Sequence, residues 1–194
     1  GLVTIFAFGG IYAAGTLDFS FDEIMVLGIV LNITAGFGSF IMGYLDDKVG
    51  GRKTIKVTLL GLMVSIFLAV LAPDLSQISE YVFRESDIPI WYNGKNMFWV
   101  AAIIIGLFSG PNQAASRSLM GRFTPEHKMN EFFGFFSFSG KATAFLGPFL
   151  FGTLTMLFSS QRVGISIIFI FFFVGYFLLH QVDESEGIRQ GVVD

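Results

Sequence analysis

Lys141 is the residue of this sequence best placed to do chemistry, because it is the only charged residue between Glu131 and Phe158 in a strongly apolar stretch. If that stretch is a helix beginning near Glu131, Lys141 lies about 15 Å along it, near the middle of a hydrocarbon core about 30 Å thick. A lysine stem cannot reach either interface from that depth, and a charge against lipid is costly. We therefore expect Lys141 to face a cavity, where it binds an anionic group such as a substrate carboxylate or takes part in proton coupling. The alternative is a structural pairing with a helix C-terminus or with an acid outside this sequence.

Asn112 and Gln113 are the next candidates, and they directly follow Gly110 and Pro111 in another apolar stretch. Pro111 is expected to kink a helix and to free a carbonyl, as is Pro148. Helices interrupted by glycine and proline are typical of transporter binding sites, although amides are equally suited to hydrogen bonding between helices. Two further candidates for substrate binding or coupling are Asn32 and Tyr12.

The composition indicates which elements position these residues. Of the 194 residues 53% are hydrophobic, 25 are phenylalanine and only 14% are charged. A soluble fold of this length leaves too much of its surface in water to hide so many apolar side chains. We therefore predict an integral membrane protein. The net charge of −3 excludes a nucleic-acid footprint, and zero cysteines with two distant histidines argue against thiolate sites, metal sites and cofactors.

Six apolar stretches are long enough, or nearly so, to cross a membrane as helices. None of them alternates with the period of a barrel strand, so the predicted fold class is all-α, a six-transmembrane-helix bundle. The predicted domain covers residues 1–182 and is followed by a frayed polar tail over 183–194. The six spans are Gly1–Leu17, Ile24–Leu45, Val57–Ala72 ending at Pro73, Asn96–Met120, Glu131–Phe158 and Val163–Val182.

The loops differ in charge, and this predicts the orientation. Seven basic residues fall in the loops after the second and fourth spans, against three in the other loops. Because basic loops stay in the cytoplasm, both termini are predicted to be cytoplasmic. Residues 74–95 form an outer insertion, where Trp91 and Tyr92 are expected to act as an interfacial anchor. Arg117 is expected at the inner interface, as an anchor or gate residue.

The most specific motif lies between the second and third spans. It reads Gly43-Tyr44-Leu45-Asp46-Asp47-Lys48-Val49-Gly50-Gly51-Arg52-Lys53 and resembles the G-x-x-x-D-R/K-x-G-x-R/K-R/K loop of the major facilitator superfamily. We expect Gly43 and Ser39 to permit close helix packing and Asp47 to stabilise a helix N-terminus. Gly50 permits a tight reversal, while Lys48, Arg52 and Lys53 hold the loop in the cytoplasm. These residues predict a gating latch; the alternative is an ordinary basic loop.

Position 46 departs from that pattern. It is usually small in such loops, whereas here it is a second acid. Asp46 is therefore a competitor of Asp47 for the same partner.

A second resemblance is narrower. The chain looks like the C-terminal half of the autophagy-related vacuolar amino-acid effluxer family and its bacterial relatives, within the same superfamily. The stretches that carry it are Gly110–Ser118, Phe132–Phe136, Gly140-Lys141 and Leu146–Pro148. The resemblance implies a twelve-span protein of which these are the last six, with a missing N-terminal six-helix half as partner. It also implies export of small solutes such as amino acids, across a bacterial plasma membrane or, in a eukaryote, a vacuolar membrane.

These observations favour a secondary active transporter that works by alternating access in the lipid bilayer and carries a small molecule. No phosphate-binding loop is present, so an ion gradient is the expected energy source. A stand-alone six-span channel or a dimeric half-transporter is the alternative. A membrane-embedded enzyme is disfavoured, because no nucleophile–base pair or cluster of acids and histidines shares one depth.

Overall fold

The computed structural model describes residues 1–82 and 93–193, and over these ranges the chain is helical with no β-strand. A short 3₁₀ turn, Glu126–Lys128, precedes the fifth α-helix. The α-helices are α1 Leu2–Leu17, α2 Phe21–Val49, α3 Gly51–Val82, α4 Gly94–Phe123, α5 Met129–Ala144, α6 Leu146–Phe158, α7 Gln161–His180 and α8 Glu184–Val193.

Five stretches are long and apolar enough to span a membrane, and α1 is a shorter apolar helix. The predicted all-α membrane helix bundle is therefore confirmed. The five stretches are Phe21–Val49, Gly51–Asp74, Gly94–Phe123, Glu126–Phe158 and Gln161–His180.

Helix α4 lies at the centre of the packing, against α2 on one side and α3 on the other, while α7 packs on α3 and α6. Glycines bring α2 and α4 together. A Cβ atom at Gly38 would overlap the Leu107 carbonyl, and one at Gly110 would lie 2.6 Å from the Ala35 carbonyl oxygen. Close packing was predicted at Gly43 and Ser39: a Cβ atom at Gly43 would meet no described atom within 4 Å, whereas one at Gly110 would lie 2.5 Å from Ser39 Oγ.

Two prolines lie within continuous helices, and both freed carbonyls face a neighbouring helix. The third span was predicted to end at Pro73, and the stretch that is apolar enough to cross a membrane does end beside it, at Asp74, although α3 itself continues to Val82. Pro73 cannot donate to the Ala69 carbonyl, which instead accepts a 3.0 Å hydrogen bond from the Tyr12 hydroxyl. Pro111 similarly frees the Leu107 carbonyl, the group that faces Gly38. Each proline therefore contributes to helix packing without ending its helix.

The predicted fifth span is divided. Helix α5 ends at Ala144 and α6 begins at Leu146, with Phe145 between them in the αR conformation. The N–H group of Phe145 donates to the Thr143 carbonyl, and Pro148 cannot donate to the Ala144 carbonyl. The break thus lies three residues before the proline that was predicted to kink this span.

The two polar segments at the edges of the bundle also differ from expectation. The tail was predicted to fray, but Glu184–Val193 forms α8. Within the predicted outer insertion, α3 extends through residue 82 and α4 begins at Gly94. The anchor prediction for Trp91 and Tyr92 lies outside the described residues.

Candidate functional site

Five residues from α2, α3, α4 and α8 form a connected group where α2 meets α3, four through their side chains and Arg52 through its backbone N–H group. We call this group the junction cluster; it consists of Asp46, Arg52, Ser118, Arg122 and Glu184. At its centre, the Asp46 carboxylate accepts hydrogen bonds from Arg122 Nη2 at 2.9 Å and from Ser118 Oγ at 3.1 Å. Asp46 is 7% exposed. The Asp46 side chain is largely shielded from water and Arg122 is partly exposed, and their charge-assisted hydrogen bond joins α2 to α4.

Glu184 caps the N-terminus of α3. Its carboxylate accepts from the backbone N–H groups of Gly51 at 2.9 Å and Arg52 at 3.2 Å. These are unpaired first-turn donors at the positive end of the helix. The same carboxylate lies 3.7 Å from Arg122 Nη1, so Arg122 bridges two acids.

The Arg52 side chain caps the C-terminus of a different helix, α7. Its Nε and Nη2 atoms donate to the carbonyls of Leu179 at 3.2 Å and His180 at 2.7 Å. Next to it, Lys56 Nζ lies 2.9 Å from His180 Nδ1. The basic side chains at the start of α3 therefore bind the end of α7, where the helix dipole favours positive charge.

The latch residues named from the sequence have unequal roles. Asp47 was expected to stabilise a helix N-terminus, but Glu184 takes that place, while Asp46 makes the contact with α4. Asp47 and Lys53 are exposed and form no hydrogen bond or ion pair within the described ranges. Lys48 lies over the Tyr44 ring at 4.3 Å. Gly50 adopts a φ of +91°, which explains its place at the reversal.

Sequence reasoning missed three members of the junction cluster as partners of the motif. Ser118 and Arg122 are four residues apart on α4 and thus share a face, a signal that could have linked them to an acid on α2. Glu184 carried no such signal, because it lies 133 residues from Gly51.

Lys141 lies in the last turn of α5, and its side chain is exposed. Within the described part of the chain it forms no hydrogen bond or ion pair. The nearby C-terminus of its own helix favours a positive charge, as the structural alternative requires. No residue of α5 is buried, in contrast to α3 and α4. The Lys141 side chain is therefore available to bind a group that does not belong to the described residues.

Asn112 and Gln113 differ in what they contact. Asn112 Nδ2 donates to Thr58 Oγ1 at 2.8 Å, which joins α4 to α3. Asn112 also lines two cavities of about 350 and 480 Å³, the larger reaching Thr143 beside the α5–α6 break. Gln113 is exposed and bonds only its own helix, at the Ser109 carbonyl.

The remaining candidates are scattered. Asn32 lines a separate cavity of about 290 Å³ between α1, α2 and α4. Tyr12 is fully buried and donates to Ala69, so its predicted place in a substrate site is replaced by a packing role. Arg117 is exposed and has no ion pair among the described residues. These predicted site residues are thus not gathered into one pocket.

The end of the bundle opposite the junction cluster is also held by ion pairs. Arg162 of α7 binds Asp74 of α3 through two hydrogen bonds, one of 2.6 Å. Lys95 of α4 pairs with Glu23 of α2 at 3.1 Å. Among the described residues, no group of three or more histidine, aspartate or glutamate side chains could hold a metal ion.

The profile of one protein family, described as vacuole effluxer Atg22 like, matches residues 1–192. The chain belongs to this family. The family resemblance seen in the sequence is thereby confirmed, and the chain is a multi-pass membrane protein.

Individual relatives of this family come from bacteria and fungi. The chain is 25% identical over 185 residues to an uncharacterized MFS-type transporter, YxiO, of Bacillus subtilis, covering 95% of this chain and 38% of that protein. It is 24% identical over 189 residues to autophagy-related protein 22 of Kluyveromyces lactis, covering 97% of this chain and 37% of the relative. The chain thus spans little more than a third of the length of these two relatives. A search of the solved structures finds no significant match.

Proposed function

We propose that this chain is the C-terminal six-helix half of a major facilitator transporter that moves a small organic solute by alternating access. Membership of the Atg22-like family supports this, as does the naming of the Bacillus relative as an MFS-type transporter. The observation that carries the proposal is Lys141, a cation that forms no ion pair with the described residues and lies on a broken helix that buries no residue. Such helices line substrate paths in transporters.

The substrate class follows from the same side chain. An ammonium group near the middle of the membrane, the depth predicted for Lys141, attracts a carboxylate. Amino acids and small organic acids are therefore the proposed solutes. The family description as an effluxer supports export. An ion gradient is the proposed energy source, and the basic residues around the junction cluster support a cytoplasmic location for that end and for both termini.

The junction cluster is the proposed latch, in which Asp46 contacts α4 and Glu184 stabilises the helix N-terminus that was first assigned to Asp47. Its ion pairs and hydrogen bonds join four helices at one end, so breaking them changes the relative stability of the transporter's two states. No covalent step is required, and the proposed activity is not enzymatic.

Counterflow in proteoliposomes tests the proposal. The full-length protein is reconstituted with a high internal concentration of an amino acid mixture, and entry of a labelled amino acid is followed after dilution. A carrier produces transient, saturable accumulation of the label, because exchange is faster than net loss. Flux that rises linearly with concentration, without accumulation, would support the channel alternative and contradict the carrier.

Substrates for that assay come from a thermal-shift screen of amino acids and small organic acids on the full-length protein. A bound ligand stabilises the folded state by mass action, so a substrate raises the melting temperature in a concentration-dependent way. Sugars and organic cations serve as controls, because neither presents a carboxylate to Lys141.

A further inference from the structure

The C-terminal helix α8 is docked on the bundle through a narrow glycine face. Gly187 and Gly191, four residues apart, both lie against Phe123, the last residue of α4. A Cβ atom at Gly187 would be 2.8 Å from the Phe123 ring, and one at Gly191 would be 2.8 Å from the Phe123 carbonyl oxygen. Close packing of this kind requires small residues at these two positions.

Glu184, the first residue of α8, provides the polar part of the docking. Both of its carboxylate oxygens accept backbone N–H groups of α3, and a Cβ atom at Gly50 would be only 2.9 Å from one of them. The side chain is 18% exposed. Glycine at position 50 thus provides both the reversal of the chain and the room for this carboxylate.

The other charged groups of α8 are satisfied within the helix. Asp183 caps its N-terminus by accepting from the N–H groups of Ser185 and Glu186. Arg189 pairs with Glu186 at 2.6 Å, and both are partly or fully exposed. Glu184 is therefore the acid of α8 that joins it to other helices.

We infer that α8 is a strap that fastens the start of α3 to the end of α4, and that Glu184 is the positioning residue that holds it there. This inference rests on the proposed transport function and adds a contact that regulates its conformational change. While the strap is docked, the α2–α3 junction cannot move relative to α4 without losing the Glu184 contacts. A contact made in one conformation and lost in another shifts the equilibrium toward the first.

The docking is tested by distance measurements on the full-length protein in nanodiscs. Spin labels at Lys48→Cys on α2 and Ser185→Cys on α8, both exposed in this structure, report the distance between the junction and the strap. Glu184→Gln should replace a narrow distance distribution with a broad one, because the amide lacks the charge that binds the α3 N-terminus and Arg122. Glu186→Gln is the matched control, since Glu186 contacts only α8, and should leave the distribution narrow. A narrow distribution in the Glu184→Gln protein would overturn the inference.

A second readout separates positioning from simple stabilisation. The rate at which a water-soluble maleimide labels Phe138→Cys, an exposed position on α5, reports the balance of transport states. Glu184→Gln should change this rate by about threefold, the size expected for a partly exposed ion pair, and Glu186→Gln should not. A broadened distance with an unchanged labelling rate would overturn the positioning role. If the wild-type protein fails to transport while the distance and labelling results hold, the proposed function fails and the strap stands.

Discussion

The junction cluster and helix α5 use charge in opposite ways. In the junction cluster, the charged side chains of α2, α3, α4 and α8 bind one another or a helix terminus. On α5, Lys141 is exposed and forms no ion pair with the described residues. A charge in a membrane protein is costly unless it is paired or hydrated. The charged groups of the cluster therefore find opposite charges or helix termini within this chain, with only Asp46 Oδ1 of the cluster buried and unpartnered among the described residues, whereas Lys141 requires water, a substrate or another part of the protein.

The two regions also differ in how closely their helices pack. The α2–α4 contact is so close that a Cβ atom at Gly38 would overlap the Leu107 carbonyl, whereas α5 buries no residue. The rigid region therefore includes the helices that carry the junction cluster. The loosely packed region carries the candidate binding residue.

The largest expected effect is the loss of folded protein when Gly38, which allows α2 and α4 to pack closely, is replaced. Gly38→Val places a branched side chain where the Leu107 carbonyl lies, so α2 and α4 must separate. We expect little or no folded protein, because overpacking of this kind costs about 1–3 kcal/mol or more. Fluorescence size-exclusion chromatography of a tagged protein measures the amount of folded protein. Gly43→Val is the control, since that position faces open space, and equal losses in both variants would contradict the assigned contact.

Breaking the central ion pair should have the next largest effect. Asp46→Asn leaves Arg122 without its closest acid and should cost about 1.5–3 kcal/mol, the range for hydrogen bonds to charged groups. Asp47→Asn is the matched control and should cost nothing measurable, because its side chain is exposed. Thermal unfolding of the two variants checks this, and a larger loss from Asp47→Asn would return the latch role to Asp47.

A smaller effect is expected at Tyr12. Tyr12→Phe removes the hydroxyl that satisfies the Ala69 carbonyl freed by Pro73 and should cost about 0.6–1 kcal/mol. Pro73→Ala restores the N–H donor within α3, so the two changes together should cost less than their sum. Strict additivity in this double-mutant cycle would show that the hydroxyl does not serve that carbonyl.

Part of this architecture could be predicted from the sequence. Long apolar stretches fix the helices, since only helices satisfy their own backbone in lipid. The choice between Asp46 and Asp47 was harder, because neighbouring helical residues point about 100° apart. The position of Gly38, which contacts α4, distinguishes the two acids. Asp46 lies eight residues further along α2, on the face toward α4. The docking of Glu184 could not be predicted, because it joins residues more than a hundred positions apart.

We expect Lys141 to act on a group from outside this chain, and initial transport rates in proteoliposomes measure its contribution. The full-length Lys141→Ala protein should transport at least about tenfold more slowly than wild type while remaining folded, because the lost charge is needed for substrate or coupling. Lys128→Ala, which removes an exposed lysine before α5, should transport at the wild-type rate. Unchanged transport by folded Lys141→Ala would contradict the account.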